Sequence, residues 1–182
     1  MIKKFVIAMS AVVVLFVLAV AAAVIFIPTH CQVEREVTIN KPREEVFNYV
    51  KQLKTQKDWG PWFKKEPSMK QDFRGTDGEV GFVSHWKGEN PDVGEGEQEI
   101  KRILPNERVD TELRFLEPFE SKADAYLITE SAGENQTKVK WGFSTEMPRP
   151  MNIMLLFVSM DEMVGPDFEI GLASLKTILE SR

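Results

Sequence analysis

Three glutamates spaced two apart, Glu95, Glu97 and Glu99, are the densest set of groups in this chain that could do chemistry. On a strand that spacing puts all three on one face, where carboxylates can act as acid and base or hold a weakly bound cation. Gly96, Gln98 and Ile100 alternate with them, and Ile100 marks the opposite face as the core side. The glutamates therefore read as a solvated face. His85 stands between Ser84 and Trp86 in a stretch of strand character, with no acid partner recognisable in the sequence. A catalytic base there competes with an ordinary polar strand residue. The chain has no Gly-x-Ser-x-Gly elbow, no phosphate-binding glycine loop and no His-Glu-x-x-His pair, the patterns that place nucleophiles, phosphates and zinc. Cys31 is the only cysteine, which excludes an internal disulfide and a cysteine-based metal site. The residues assign no catalytic group, no metal ligand and no cofactor.

What remains is apolar surface. Twelve Phe, four Trp and two Tyr are spread over 182 residues. Trp59-Gly60-Pro61-Trp62-Phe63 gathers three rings around a Gly-Pro turn, and Met147, Met151, Met154, Met160 and Met163 cluster near the C-terminus. Methionine adapts to variable apolar shapes. The rings form either a plug closing one end of a core or the wall of a pocket.

Two kinds of element must hold these side chains. Val33, Arg35, Val37 and Ile39 alternate with polar residues, as do Val109, Thr111, Leu113 and Phe115, and Val139, Trp141 and Phe143; that period is a strand with one buried face. Turn residues such as Gly75-Thr76-Asp77-Gly78, Pro105-Asn106 and Gly133-Glu134-Asn135 separate the strands, which predicts an antiparallel meander. Asn40-Lys41-Pro42 predicts the start of a helix through about residue 56, with Asn40 as cap and Val46, Phe47, Val50 and Leu53 as its apolar face. After the apolar run 151–163, Gly165-Pro166 predicts a break. A final helix from Asp167 to Ser181 then carries Phe168, Leu172, Leu175 and Leu179 as one stripe. The fold class is α+β, a curved antiparallel sheet packed on a long C-terminal helix.

Ahead of this lies Phe5 to Ile27, uncharged, without Gly or Pro, with Ser10 its sole polar member. As a helix it spans roughly 34 Å, enough for a hydrocarbon core of about 30 Å. Residues 1–28 are expected to be a single-pass transmembrane anchor. Lys3 and Lys4 put the N-terminus in the cytoplasm and the rest on the extracytoplasmic side. A cleaved signal peptide is the competing reading, but the apolar run outlasts the usual h-region of about 7–15 residues. Only these two of the 23 basic residues precede Pro28, and none of the 28 acidic ones does. The remainder is thus more acidic than the chain's net −5, which argues against a nucleic-acid partner. No protein partner is identified.

Several stretches together resemble the polyketide cyclase/dehydrase-like branch of the SRPBCC superfamily, related to START domains and birch-pollen-type allergens. They are Val37-Thr-Ile-Asn-Lys-Pro-Arg-Glu-Glu-Val-Phe47, Trp59, Gly94-Glu-Gly-Glu-Gln-Glu-Ile100, Pro105-Asn-Glu-Arg-Val109, Val139-Lys-Trp-Gly-Phe143 and Phe168-Glu-Ile-Gly-Leu-Ala-Ser-Leu-Lys176. The resemblance covers residues 33–182 and implies a helix-grip domain with a hydrophobic cavity between sheet and C-terminal helix. It implies no general catalytic set, and the N-terminal span departs from the soluble relatives. The expected function is a membrane-anchored binding module for a lipid or other hydrophobic small molecule. Trp62, Phe63, Phe115, Trp141, Phe143 and Leu172 are expected to line the cavity, with Met154 near its mouth. The alternative, a cyclase or hydratase, requires an inward polar group, for which Arg114, Tyr126 and His85 are the candidates. A third reading is a protein with a filled core and no ligand.

Overall fold

The computed structural model describes residues 2–182. The chain opens with helix α1 (Ile2–Phe26), whose stretch Lys3–Phe26 is long and apolar enough to cross a membrane. Strand β1 (His30–Ile39) leads to α2 (Arg43–Val50), a 3-10 turn (Leu53–Thr55), and the short helices α3 (Gln56–Trp59) and α4 (Pro61–Lys65). Six strands follow: β2 (Lys70–Arg74), β3 (Val83–Lys87), β4 (Glu95–Leu104), β5 (Arg108–Glu117), β6 (Ser121–Gly133) and β7 (Gln136–Glu146). A 3-10 segment (Met151–Leu156) and α5 (Met160–Glu180) end the chain.

All pairings are antiparallel, in the order β1-β7-β6-β5-β4-β3-β2. The predicted meander is thus present, closed on one edge by the return of β1 beside β7. Call the near end of the sheet the one where β1 begins and β7 ends, beside α1, and the far end the opposite one. The inner face, toward α5, carries Val33, Arg35, Val37 and Ile39 on β1, Val139, Trp141 and Phe143 on β7, and Val109, Thr111, Leu113 and Phe115 on β5, as alternation required. Toward the far end that face is closed by α2, α3 and the C-terminal half of α5. Ile39, Val46, Val50, Trp59, Val139, Leu172, Leu175 and Leu179 are fully buried there. Phe47, Leu53, Phe82, Ile100 and Val109 form a second cluster beneath α2.

Three predicted boundaries move. The helix expected to run through about residue 56 ends at Val50, and a 3-10 turn and α3 carry the chain on to Trp59. Pro42, and not Asn40, precedes α2. Asn40 is instead drawn into tertiary bonds, its backbone N–H donating to Glu180 at 2.7 Å and its carboxamide oxygen accepting from Gln136 at 2.8 Å. The C-terminal helix begins at Met160, seven residues before the expected start, and runs straight through Gly165-Pro166. Ser159 caps it, its hydroxyl accepting from the Glu162 N–H at 3.3 Å, with Asp161 and Glu162 in the first turn. The break falls instead between the 3-10 segment and Ser159.

Candidate functional site: the inner face beneath the first half of α5

Arg35 is the one cation among the inward residues of β1, and it faces the N-terminal half of α5. Its Nη1 and Nη2 donate to the two carboxylate oxygens of Asp161 at 2.7 and 2.8 Å, and its Nε donates to Glu169 at 2.8 Å. Asp161 lies before Pro166 and Glu169 after it, so one guanidinium bridges the proline. Pro166 has no N–H to give the Glu162 carbonyl, the point at which a helix bends most easily. Gly165 is required there because a Cβ would collide with the Arg35 guanidinium. The hydrogen bonds from Asp161 and Glu169 keep Arg35 charged far beyond any physiological pH, and Arg35 in turn holds the Asp161 carboxyl below the usual aspartate range.

Past this clamp the interior is filled by rings. Trp141 stacks on Phe168 with centroids 4.1 Å apart, and Trp59 meets Trp141 edge-on at 4.9 Å. Trp62 stands edge-on to both Trp141 and Phe168, at 5.7 and 6.3 Å. The enclosed space next to Trp141, lined by Gln56, Gln98, Thr111 and Leu127 among others, amounts to about 10 Å³, room for one water. The Trp59 indole N–H is buried and finds no acceptor among the described residues.

The near-end inner face differs. Ala123 and Ala125 on β6 pair with Thr145 and Phe143 on one side and with Leu113 and Thr111 on the other. Small side chains therefore leave a shallow trough in the sheet's own side-chain layer, between Phe143 and the group Leu113, Phe115 and Trp86; both alanines are themselves buried, so it is covered in this form. Trp86 packs edge-on against Phe115 at 6.1 Å, its indole N–H donating to the Val93 carbonyl at 3.2 Å. Phe143, Leu113, Phe115 and Trp86 are half-buried, whereas the far-end stripe is sealed.

Of the residues expected to line a cavity, Trp141 and Leu172 lie in the closed core, and Trp62 and Phe143 pack against it. Phe63 and Phe115 are half-buried, and Met154 is exposed on the 3-10 segment beside α1. Trp86 and Leu113 join Phe115 on the trough wall; the alternation Ser84-His85-Trp86 already put Trp86 on the face opposite His85. Arg35 carried the same kind of signal, a charge in an otherwise apolar alternation.

The three candidates for an inward polar group all face outward. Arg114 donates to Glu99 at 2.7 Å, Glu112 at 2.6 Å and Glu97 at 2.9 Å. Arg74 and Arg114 hold the Glu97 carboxyl below the usual glutamate range, and Arg114 and Lys101 do the same for Glu99. The glutamate row is thus a surface ion-pair lattice. His85 meets Glu95 at 3.0 Å on this outer face. Tyr126 lies over Gly142, where a Cβ would strike its ring, and donates to Glu34 at 2.5 Å.

No protein-family model matches the sequence, and no curated protein does either. Solved structures do. Norcoclaurine synthase from Thalictrum flavum superposes with a TM-score of 0.59 at 10% identity, over 84% of this chain and 95% of that one. Ara h 8.0201 gives 0.56 at 14% identity, over 84% and 99%. DynU16, from the dynemicin biosynthetic locus, gives 0.55 at 14% identity, over 82% of this chain and 47% of that one. The chain shares the helix-grip fold of these structures, a curved antiparallel sheet packed on a long C-terminal helix. Identities this low establish the fold and leave the chemistry to the site.

Proposed function

We propose that this chain is a membrane-anchored binding module for a hydrophobic small molecule or lipid, held between the near half of the sheet and the N-terminal half of α5. The observation that supports it is the trough: two alanines flanked by half-buried Phe143, Leu113, Phe115 and Trp86, at the border of the first sealed cluster, against which Phe143 packs. Ligand pockets measure about 300–1,000 Å³, against about 10 Å³ beside Trp141; the expected cavity is filled by side chains, so this reading requires α5 to move before a ligand can enter. The ligand enters as the first turns of α5 lift about Gly165-Pro166 and Arg35 releases Asp161. That ion pair is solvent-accessible, and pairs of this kind resist opening only weakly. In this reading α1 crosses the bilayer, with Lys3 and Lys4 cytoplasmic and the sheet on the other side. The three groups that the cyclase or hydratase alternative names face outward, and the inward cation, Arg35, is engaged by Asp161 and Glu169.

The test titrates a brominated fatty acid onto the full chain in nanodiscs and follows tryptophan fluorescence. Saturable quenching that Phe115→Asp weakens is expected. Quenching that rises linearly, as for simple partition into the bilayer, and is indifferent to Phe115→Asp would contradict it.

A further inference from the structure

The segment after β7 is fastened to the end of α1. Arg149 donates from Nε to the Val24 carbonyl at 2.9 Å and from Nη2 to Ile25 at 3.0 Å. Asn152 donates from Nδ2 to Val24 at 2.9 Å and to Ile27 at 3.0 Å, and is itself fully buried. These carbonyls belong to the last turn of a helix, which has no acceptor-satisfying N–H of its own. The Met147 N–H also donates to the Thr29 carbonyl at 2.8 Å. The 3-10 segment is thereby held beside the end of α1.

What it presents outward is apolar. Met151, Met154, Leu156 and Phe157 are all exposed, Phe157 to 84%. At the same end of the sheet the last residues of β5 and the β5–β6 turn expose Leu116 and, to 81%, Phe119, with exposed Glu117 and Glu120 beside them that must stay among headgroups and water. The far-end turns are instead Lys41-Pro42, Asp77-Gly78, Asn106-Glu107 and Glu134-Asn135. An exposed apolar group of this size marks a membrane or partner surface.

We infer that this rim is sunk into the bilayer that α1 crosses, with Met151–Phe157 and Phe119 at the boundary between headgroups and acyl chains. The inference rests on α1 spanning the membrane. The uncharged run ends at Ile27, and its length of roughly 34 Å against about 30 Å of hydrocarbon puts the carbonyls held by Arg149 and Asn152 at the edge of the apolar layer. Interfacial elements bury their apolar faces about 5–10 Å into that boundary, the depth at which these hydrogen bonds hold the 3-10 segment. Lipid is the occupant because the patch is continuous with a membrane-length helix. The β3–β4 turn, with Glu89 and Asp92, lies at the same end but on the side of the sheet away from β1; it stays among headgroups and water.

Full-length chain carrying Cys31→Ser tests this, with a fluorophore on one introduced cysteine: Phe157→Cys, Phe119→Cys, Leu15→Cys within α1, or Val80→Cys at the exposed far end. Each is reconstituted in phosphatidylcholine vesicles containing acyl-chain nitroxide lipids. Quenching at 157 and 119 at least about threefold that at 80 supports the rim lying at the bilayer boundary. Strong quenching at 15 with 157 and 119 no different from 80 overturns the inference and leaves α1 in the membrane. No quenching at 15 overturns both. Label mobility lost at 157 without quenching assigns the rim to a second copy, and also overturns it.

Discussion

The two ends of the sheet use the same helix differently. At the far end α5 brings Leu172, Leu175 and Leu179 against α2 and the sheet, and every one is sealed from solvent. At the near end the same helix is pinned by an ion pair, carries a proline within its first two turns, and stands near a face of alanines and half-buried rings. Packing of the first kind gives stability through apolar burial, at roughly 25 cal/mol per Å². Contacts of the second kind are weaker individually and can be exchanged for a ligand's. The difference teaches that stability and binding are assigned to opposite ends of one interior.

The substitution that should disturb this contrast most is Trp141→Ala, since Trp141 joins both regions. It should cost about 3–5 kcal/mol, read as a lowered urea midpoint of the full chain in detergent. Gly165→Ala comes next. A helix interior ordinarily gains from this change by up to about 1 kcal/mol; here the collision with Arg35 should reverse the sign, to a loss of about 1–3 kcal/mol by overpacking. Arg35→Met should have a smaller effect on overall stability, and hydrogen exchange over residues 160–166 should accelerate while residues 172–179 do not change. Acid should act on the same clamp. Asp161 is held below its ordinary value by Arg35, so its contribution is complete above about pH 4 and is lost as pH falls through the lowered folded value. Exchange over 160–166 should therefore accelerate below pH 4 in the native chain, and Arg35→Met should abolish that dependence. Trp59→Phe should give the smallest shift, within about 1 kcal/mol, because the donor it removes is unpaired.

Much of the fold was legible because side-chain parity is a strong signal wherever one face is buried. Val109-Thr111-Leu113-Phe115 and Glu95-Glu97-Glu99 were placed on opposite faces correctly, and with them the surface character of the glutamates. The start of α5 was written in the sequence as Ser159-Met-Asp-Glu162, a capping box, but Gly165-Pro166 is a stronger local stop. What overrides it is Arg35, 126 residues away from Asp161 along the chain, and no local pattern carries that pairing. The same limit applies to the inner face: alternation names the inward residues without saying which ones a helix will seal. Trp141 and Leu172 carried the same inward signal as Phe115, and burial separates them only because α5 lies nearest to β1.

The central claim, that the near half of the interior opens to take an apolar ligand, is tested most directly by native mass spectrometry of the full chain released from its own membrane in mild detergent. The account predicts a bound apolar species at one per chain, retained by the native protein and lost in Phe115→Asp. A chain that carries no adduct, and acquires none when offered total lipid extract from that membrane, would contradict it.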